Sequence, residues 1–304
     1  NVNSDCVIQS LDVNTIYDVP NYMYREGLDK VVLKKLKLEY SEPNLKSWNL
    51  FLERYKNPKG SVKIGLIGKY IELQDSYKSI LESFIHAGAI NEVGVKVVPV
   101  HSEHLNSGNV HEKLRFFDGV LVAPGFGERG VEGKIEAIKY VRLNRIPFFG
   151  ICYGMQMAVI EYSRNVLNFS DANSTEVNPN TKHPVIDLME NQKNIINKGG
   201  TMRLGTWECS LKENSLCHSI YESNKINERH RHRYELNNKY LSKLQDNGLI
   251  ASGINDETNL VEVVEIKDHP WFIGVQYHPE YQSTVSSPHP LFVSFIKAAI
   301  KNNI

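Results

Sequence analysis

Pro147-Phe148-Phe149-Gly150-Ile151-Cys152-Tyr153-Gly154-Met155-Gln156 is the stretch on which the fold turns. A short apolar run suited to a buried strand enters Gly-x-Cys-x-Gly and passes without pause into a helical pattern over 155–162. Strand, tight turn and helix with a reactive side chain at the turn make a nucleophile elbow, here with sulfur in place of oxygen. The flanking glycines permit such a turn, and a thiol at a helix N-terminus has its thiolate favoured by the helix dipole. The same run also suits a small buried cysteine at a turn, so residues elsewhere must decide between the two readings.

Outward from the elbow, strands and helices alternate. Val62–Gly68 reads as a strand, Gln74–Ala89 as a helix, Val93–Val100 and Phe117–Val122 as strands, Val131–Leu143 as a helix and Ile146–Ile151 as the strand feeding Cys152. This period predicts βαβ units: an α/β fold whose mostly parallel central sheet is flanked by helices, with ligands gathering at the carboxyl ends of its strands. Beyond Leu167 the texture changes. Asn168–Asn180 is polar and turn-rich, and Gly199–Leu211 suggests a hairpin or edge strands. Arg229–Leu236, Leu249–Ile254, Leu260–Ile266 and Trp271–Tyr277 read as strands, for which a smaller antiparallel sheet is expected, and Leu291–Ile300 as a closing helix. Upstream, residues 1–59 carry helical patterns over Leu28–Leu38 and Leu45–Tyr55, then Asn57-Pro58-Lys59-Gly60, a turn or linker signal. A boundary is therefore expected there, with a linker segment over 1–59 and the main domain over 60–304. The opening residues have scattered apolar positions and no capping signal, as though the chain were entered part-way through a larger protein.

Length and composition bound the function. At 304 residues, one or two domains with a substantial core are expected. Lys and Arg number 35 and so do Asp and Glu, which removes any global pull toward nucleic acid or an anionic membrane. No apolar run approaches the roughly 20 residues of a membrane span, and Asn1-Val2-Asn3-Ser4-Asp5 is no signal peptide, so a cytoplasmic protein is expected. The four cysteines, Cys6, Cys152, Cys209 and Cys217, form no C-x-x-C pair and fit reduced thiols.

Three further stretches could carry chemistry. Gln276-Tyr277-His278-Pro279-Glu280 closes the last strong strand; in extended backbone His278 and Glu280 share a side, so the carboxylate can orient the imidazole. Cysteine, histidine and an orienting carboxylate are the parts of a triad. The loop Val120–Gly130 is glycine-rich and can present a backbone N–H to an oxyanion, paired with the N–H of Tyr153; it is too irregular for a dinucleotide fingerprint or a P-loop. Arg229-His230-Arg231-His232-Arg233 admits a metal site, a nucleic-acid patch or a pocket wall in which an arginine grips a carboxylate. The third reading is preferred, since no ligand set accompanies the histidines and acids balance the charge.

Together, Gly150–Gln156 and His278-Pro279-Glu280 resemble the class I (triad) glutamine amidotransferases, of flavodoxin-like fold. The strings Gly68–Leu73, Gly125–Gly133, Asp171–Glu176, Gly200–Gly205 and Glu228–Tyr234 are similar to one branch, the C-terminal glutaminase domain of the CTP synthase family, and the likeness covers residues 60–300. Ile16–Pro20 through Gly27–Asp29 is similar to the segment joining that domain to the synthetase domain, so the chain looks like a fragment of a ligase of pyrimidine biosynthesis. The resemblance implies Cys152 as nucleophile, His278 as base and acid, and Glu280 as orienting carboxylate. Gly125, Tyr153, Gly154, Met155 and Gln156 would line the glutamine site, with Glu176 and Arg233 holding the ammonium and carboxylate ends of L-glutamine. Phe126 and Arg129 would be effector contacts in a lid responsive to GTP, an allosteric activator. ATP, UTP and Mg would belong to the synthetase domain of the same polypeptide, and the whole enzyme would be a homotetramer; no cofactor or metal is implied for this fragment.

Two positions depart from the family pattern, Pro124 where glycine is usual and Tyr153 where leucine is usual. Proline has no N–H, so oxyanion donation at the loop falls to Gly125. Competing readings are a γ-glutamyl peptidase with the same triad, and a catalytically quiet nucleotide-binding or regulatory domain.

Overall fold

The structure, a computed structural model, describes residues 2–188 and 202–303. The part of the expected hairpin at 199–201 lies outside them. Two compact units divide the chain, Asn1–Asn57 and Pro58–Ile304.

The first unit holds three helices, α1 (Val19–Arg25), α2 (Leu28–Leu36) and α3 (Lys46–Lys56). Gly27, at φ 75°, turns the chain between α1 and α2 in a left-handed conformation open to glycine at little cost. The ring of Tyr17 packs edge-on to Phe51 and Tyr55 of α3, and the Trp48 indole N–H donates to the Tyr17 carbonyl at 2.9 Å. This aromatic knot, with the Lys56–Asp18 ion pair at 2.6 Å, fixes α3 to the segment before α1.

In the second unit the chain runs β1 (Gly60–Gly68), α4 (Lys78–Ile90), β2 (Val93–His101), α5 (Val110–Leu114), β3 (Gly119–Val122), α6 (Val131–Leu143), β4 (Phe148–Ile151) and α7 (Tyr153–Asn165). There follow β5 (Asn173–Ser174), β6 (Pro184–Leu188), β7 (Arg203–Leu211), α8 (Leu216–Tyr221), β8 (Lys225–His232), β9 (Tyr234–Leu236), α9 (Leu241–Asp246), β10 (Leu249–Ile254), β11 (Val261–Ile266), β12 (Phe272–Val275) and α10 (Pro290–Asn302). The large sheet has the order β2-β1-β3-β4-β12-β11-β10-β7-β8. From β2 to β12 all neighbours are parallel, and from β12 to β8 all are antiparallel.

The α/β class with a small second sheet holds, but most of the antiparallel strands continue the large sheet. The separate sheet is β5-β6-β9, with one parallel and one antiparallel pair.

Strand alternation builds the two cores. Val120, Val122 and Phe148 face a layer containing α5, α6, α7 and α9, whereas Leu121, Phe149 and Ile151 face one containing α4, α8 and α10. β3, β4 and β12 are buried throughout because both faces are covered. α6 and α7 are clamped by a bidentate Arg142–Glu161 pair at 2.8 and 2.6 Å. β1 neighbours β2 on one side and β3 on the other, so the strand order reverses there, and a crevice opens at the carboxyl ends of these strands.

Some element bounds differ from the sequence reading. The helix expected from Gln74 starts as a 3-10 turn, Gln74–Tyr77, and becomes α-helical at Lys78. The strand expected through Leu236 breaks at Arg233, between β8 and β9, which belong to different sheets. β5, β6, α5, α8 and α9 are too short for periodicity to reveal.

Candidate active site

Cys152 lies at the carboxyl end of β4 and caps α7 with φ 51° and ψ −101°. A non-glycine residue in this region stores about 1–3 kcal/mol of backbone strain, a pattern that concentrates at functional sites. Its N–H donates to the Val275 carbonyl at 2.7 Å, tying the elbow to β12. The glycines around it act by clearance, not by a left-handed turn. A Cβ on Gly150 would stand 2.8 Å from the Gly154 backbone, and one on Gly154 would collide with the Val122 carbonyl oxygen. The cysteine itself takes the positive φ.

His278 follows β12 and caps the 3-10 turn Pro279–Tyr281. The extended backbone expected to align His278 with Glu280 is absent; the turn brings them together instead, with Nδ1 donating to Glu280 Oε1 at 2.7 Å. The His278 N–H also donates to the Arg229 carbonyl at 2.8 Å, which anchors the turn to β8. With Nδ1 occupied, Nε2 is the buried nitrogen left for proton exchange, and the Cys152 side chain is a hydrogen-bond partner of the imidazole. Burial alone would lower the His278 pKa, but the charge of a Cys152 thiolate, then that of Glu280, outweighs it and raises the value to about 11. Gln276 Nε2 stands 3.7 Å from Cys152 Sγ.

Cys152 and His278 border a cavity of about 520 Å³ whose lining also includes Gly125, Phe126, Tyr153, Gln156, Glu176 and Arg233. Gln156 Nε2 donates to the Tyr234 carbonyl at 2.9 Å, while its Oε1 is buried without a hydrogen-bond partner. Glu176 Oε1 accepts from the Gly127 N–H at 3.0 Å, and the Tyr153 hydroxyl donates to the Gly127 carbonyl at 2.5 Å. The glycine-rich loop is thus held from both sides of one residue. Its rim carries Phe126, 63% exposed beside Tyr70, and Arg129, paired with Glu103 at 3.3 Å. Gly154 and Met155, expected in the glutamine site, do not line the cavity: the first packs on Val122 and the second is buried against Gly274. The helix turns both away from the cavity, whereas Tyr153 and Gln156, three residues apart, stay on its side.

Other lining residues were not singled out in the sequence. Tyr70, Tyr77, Tyr234 and Tyr281 supply aromatic walls, Tyr281 stacked on His278 at 5.4 Å between centroids. Gln276 does not line the cavity but contacts Cys152 and Gln156, and it has a legible signal, since it lies two positions before His278. The His-Arg run resolves by strand alternation, with Glu228, His230 and His232 buried and Arg229 and Arg231 exposed. His230 Nδ1 and His232 Nε2 lie 2.8 Å apart within a buried group completed by Arg203, Glu235 and Glu262. Among the described residues no group of three or more His, Cys, Asp or Glu side chains could hold a metal ion, and no helix is long and apolar enough to cross a membrane.

The family model described as glutamine amidotransferase class-I matches residues 72–298. A CTP synthase of Christiangramia forsetii is 66% identical over 305 residues, covering 100% of this chain and 56% of the relative, and one of Flavobacterium johnsoniae is 65% identical over 301 residues, covering 99% and 56%. The chain thus spans little more than half the length of these curated relatives. Among solved structures, the glutaminase domain of the Trypanosoma brucei enzyme CTPS, determined with bound acivicin, is 40% identical with a TM-score of 0.75, covering 79% of this chain and 94% of that one. A family match over most of the chain and a relative covered almost end to end lead to one conclusion: the chain belongs to the class-I glutamine amidotransferase family, in the branch formed by the glutaminase domains of CTP synthases.

Proposed function

We propose that this chain hydrolyses L-glutamine to glutamate and ammonia through a thioester on Cys152, and that a synthetase domain of the same polypeptide uses the ammonia for ATP-dependent amination of UTP to CTP. The observation that carries the reading is one cavity in which a strained cysteine meets a His278–Glu280 pair, with Glu176 and Arg233 also in its lining.

In this mechanism the thiolate attacks the carboxamide carbon, forming a C–S bond, and the carbonyl electrons move onto oxygen. Backbone N–H groups of Gly125 and Tyr153 stabilise that oxyanion. The C–N bond then breaks as the His278 imidazolium gives its proton to the departing ammonia. Neutral His278 next takes a proton from water, hydroxide adds to the thioester carbon, and the C–S bond breaks to restore the thiolate. Glu176 takes the substrate ammonium and Arg233 its carboxylate, while Gln156 Oε1 offers a further acceptor. GTP would act at the rim formed by Phe126 and Arg129; Mg, ATP and UTP belong to the synthetase domain, to which residues 1–59 are the connection.

Glutamate release from glutamine, measured with and without GTP, tests the reading. Cys152→Ala is expected to abolish release. Turnover persisting in that variant, or cleavage of γ-glutamyl peptides in preference to free glutamine, would overturn it.

A further inference from the structure

Lys134 is a lysine of α6 with no exposed surface, its side chain running under the carboxyl ends of β3 and β4. Its Nζ stands 3.5 Å from the Ala123 carbonyl and 4.7 Å from the ring centroid of Tyr153. A Cβ added to Gly125 would come within 3.3 Å of that nitrogen. One buried amine therefore lies against both residue groups from which the oxyanion donors would come: the backbone of the Ala123–Gly125 turn and the side-chain ring of Tyr153, the first residue of α7. No carboxylate pairs with it among the described residues. A buried cation without a counter-ion is costly, and a hydrophobic residue of similar length would ordinarily serve packing better. Burial therefore favours the neutral amine, and a negative charge formed nearby would favour the ammonium.

We propose that Lys134 is a positioning residue of this site, whose ammonium holds the Ala123–Gly125 turn in place and supplies a positive charge that stabilises the Cys152 thiolate and the oxyanion formed from it. The proposal rests on the glutaminase reading. The ammonium does not touch substrate; it acts through the carbonyl of Ala123, the face of Tyr153 and the field at Cys152. The titratable groups acting on it are Lys69 at the end of β1 and Cys152 at the head of α7. Burial, then repulsion by Lys69, lowers the Lys134 pKa to about 7, and Cys152 opposes that fall. The Lys134 proton and the Cys152 charge are consequently linked, each favouring the other. Tyr153 joins in through its ring, which explains how an aromatic residue is accommodated there: it forms a π-face for the ammonium and still contributes its N–H.

Lys134→Met keeps length and burial while removing charge. The expected result is a folded protein whose kcat for glutamine falls roughly 10- to 100-fold with KM changed less than about threefold. Alkylation of Cys152 by iodoacetamide should slow at pH 7, and its pH profile should move upward by about half a unit or more. An alkylation profile identical to that of the unsubstituted chain overturns the proposal and leaves the glutaminase reading standing. If the unsubstituted chain releases no glutamate, that reading fails, and the alkylation comparison still decides the role of Lys134. Should the Met variant not fold, the unsubstituted chain labelled with [15N]lysine gives the answer: capping Cys152 with iodoacetamide must lower the titration midpoint of the Lys134 Nζ resonance. An unchanged midpoint overturns the linkage.

Discussion

In the proposed mechanism the roles of Cys152 and His278 rest on backbone geometry as much as on side-chain chemistry. The strained φ of Cys152 lifts its sulfur off the end of β4, and the 3-10 turn after His278 bends Glu280 back onto Nδ1. Because the carboxylate can only accept, it fixes the proton on Nδ1 and leaves Nε2 for exchange. Glu280→Gln would place an amide there whose N–H₂ can donate to Nδ1 and shift the ring proton to Nε2. The expected outcome is a fall in kcat of about 10²- to 10⁴-fold with little change in KM, read from glutamate release. A rate within a few-fold of the unsubstituted protein would deny Glu280 its orienting role.

At the scale of elements, the elbow works because β3 and the head of α7 touch at a glycine. Gly154 lies so close to the Val122 carbonyl that any side chain must push the helix off the sheet. Gly154→Ala is expected to destabilise the second unit by about 1–3 kcal/mol, seen as a lower Tm, and to slow Cys152 alkylation because Tyr153 moves with the helix. Normal stability with normal alkylation would show that the contact relaxes freely. The same scale explains the His-Arg run. In β8, period-two alternation buries the acid and the histidines, and the chain then leaves the large sheet at Arg233, which takes that side chain out of the alternation and into the cavity wall.

At the scale of the whole second unit, nine strands of the described residues share one sheet, and helices pack on both faces of its parallel part. Buried titratable groups then make its stability depend on pH. His269, 9% exposed between β11 and β12, accepts from the Trp271 N–H at Nδ1 and lies 3.4 Å from the Val141 carbonyl at Nε2, the pattern of a neutral ring. Burial lowers its pKa from the ordinary 6.5 to about 4. Since the folded value is depressed, the stability is present above pH 6.5 and is lost as pH falls toward 4, by about 3 kcal/mol. His230 is depressed in the same direction by burial. His269→Gln is expected to shrink the difference in Tm between pH 7 and pH 4.5; an unchanged difference would place the acid sensitivity elsewhere.

Local pattern by itself determined the α/β alternation, the elbow at Cys152 and the candidate partners His278 and Glu280, because strand and helix periods and turn residues act over a few neighbours. The same locality made an extended strand look like the link between His278 and Glu280, and the family resemblance put Gly154 and Met155 in the glutamine site, where neither lines the cavity. Only tertiary structure decided those points, since which face of α7 meets β3 and where β12 ends beside β4 depend on packing between segments distant in the chain. Lys134 is the clearest case: along the chain it is one lysine in an ordinary helix, and only the burial of α6 turns it into an amine enclosed against the Ala123 carbonyl and the Tyr153 ring.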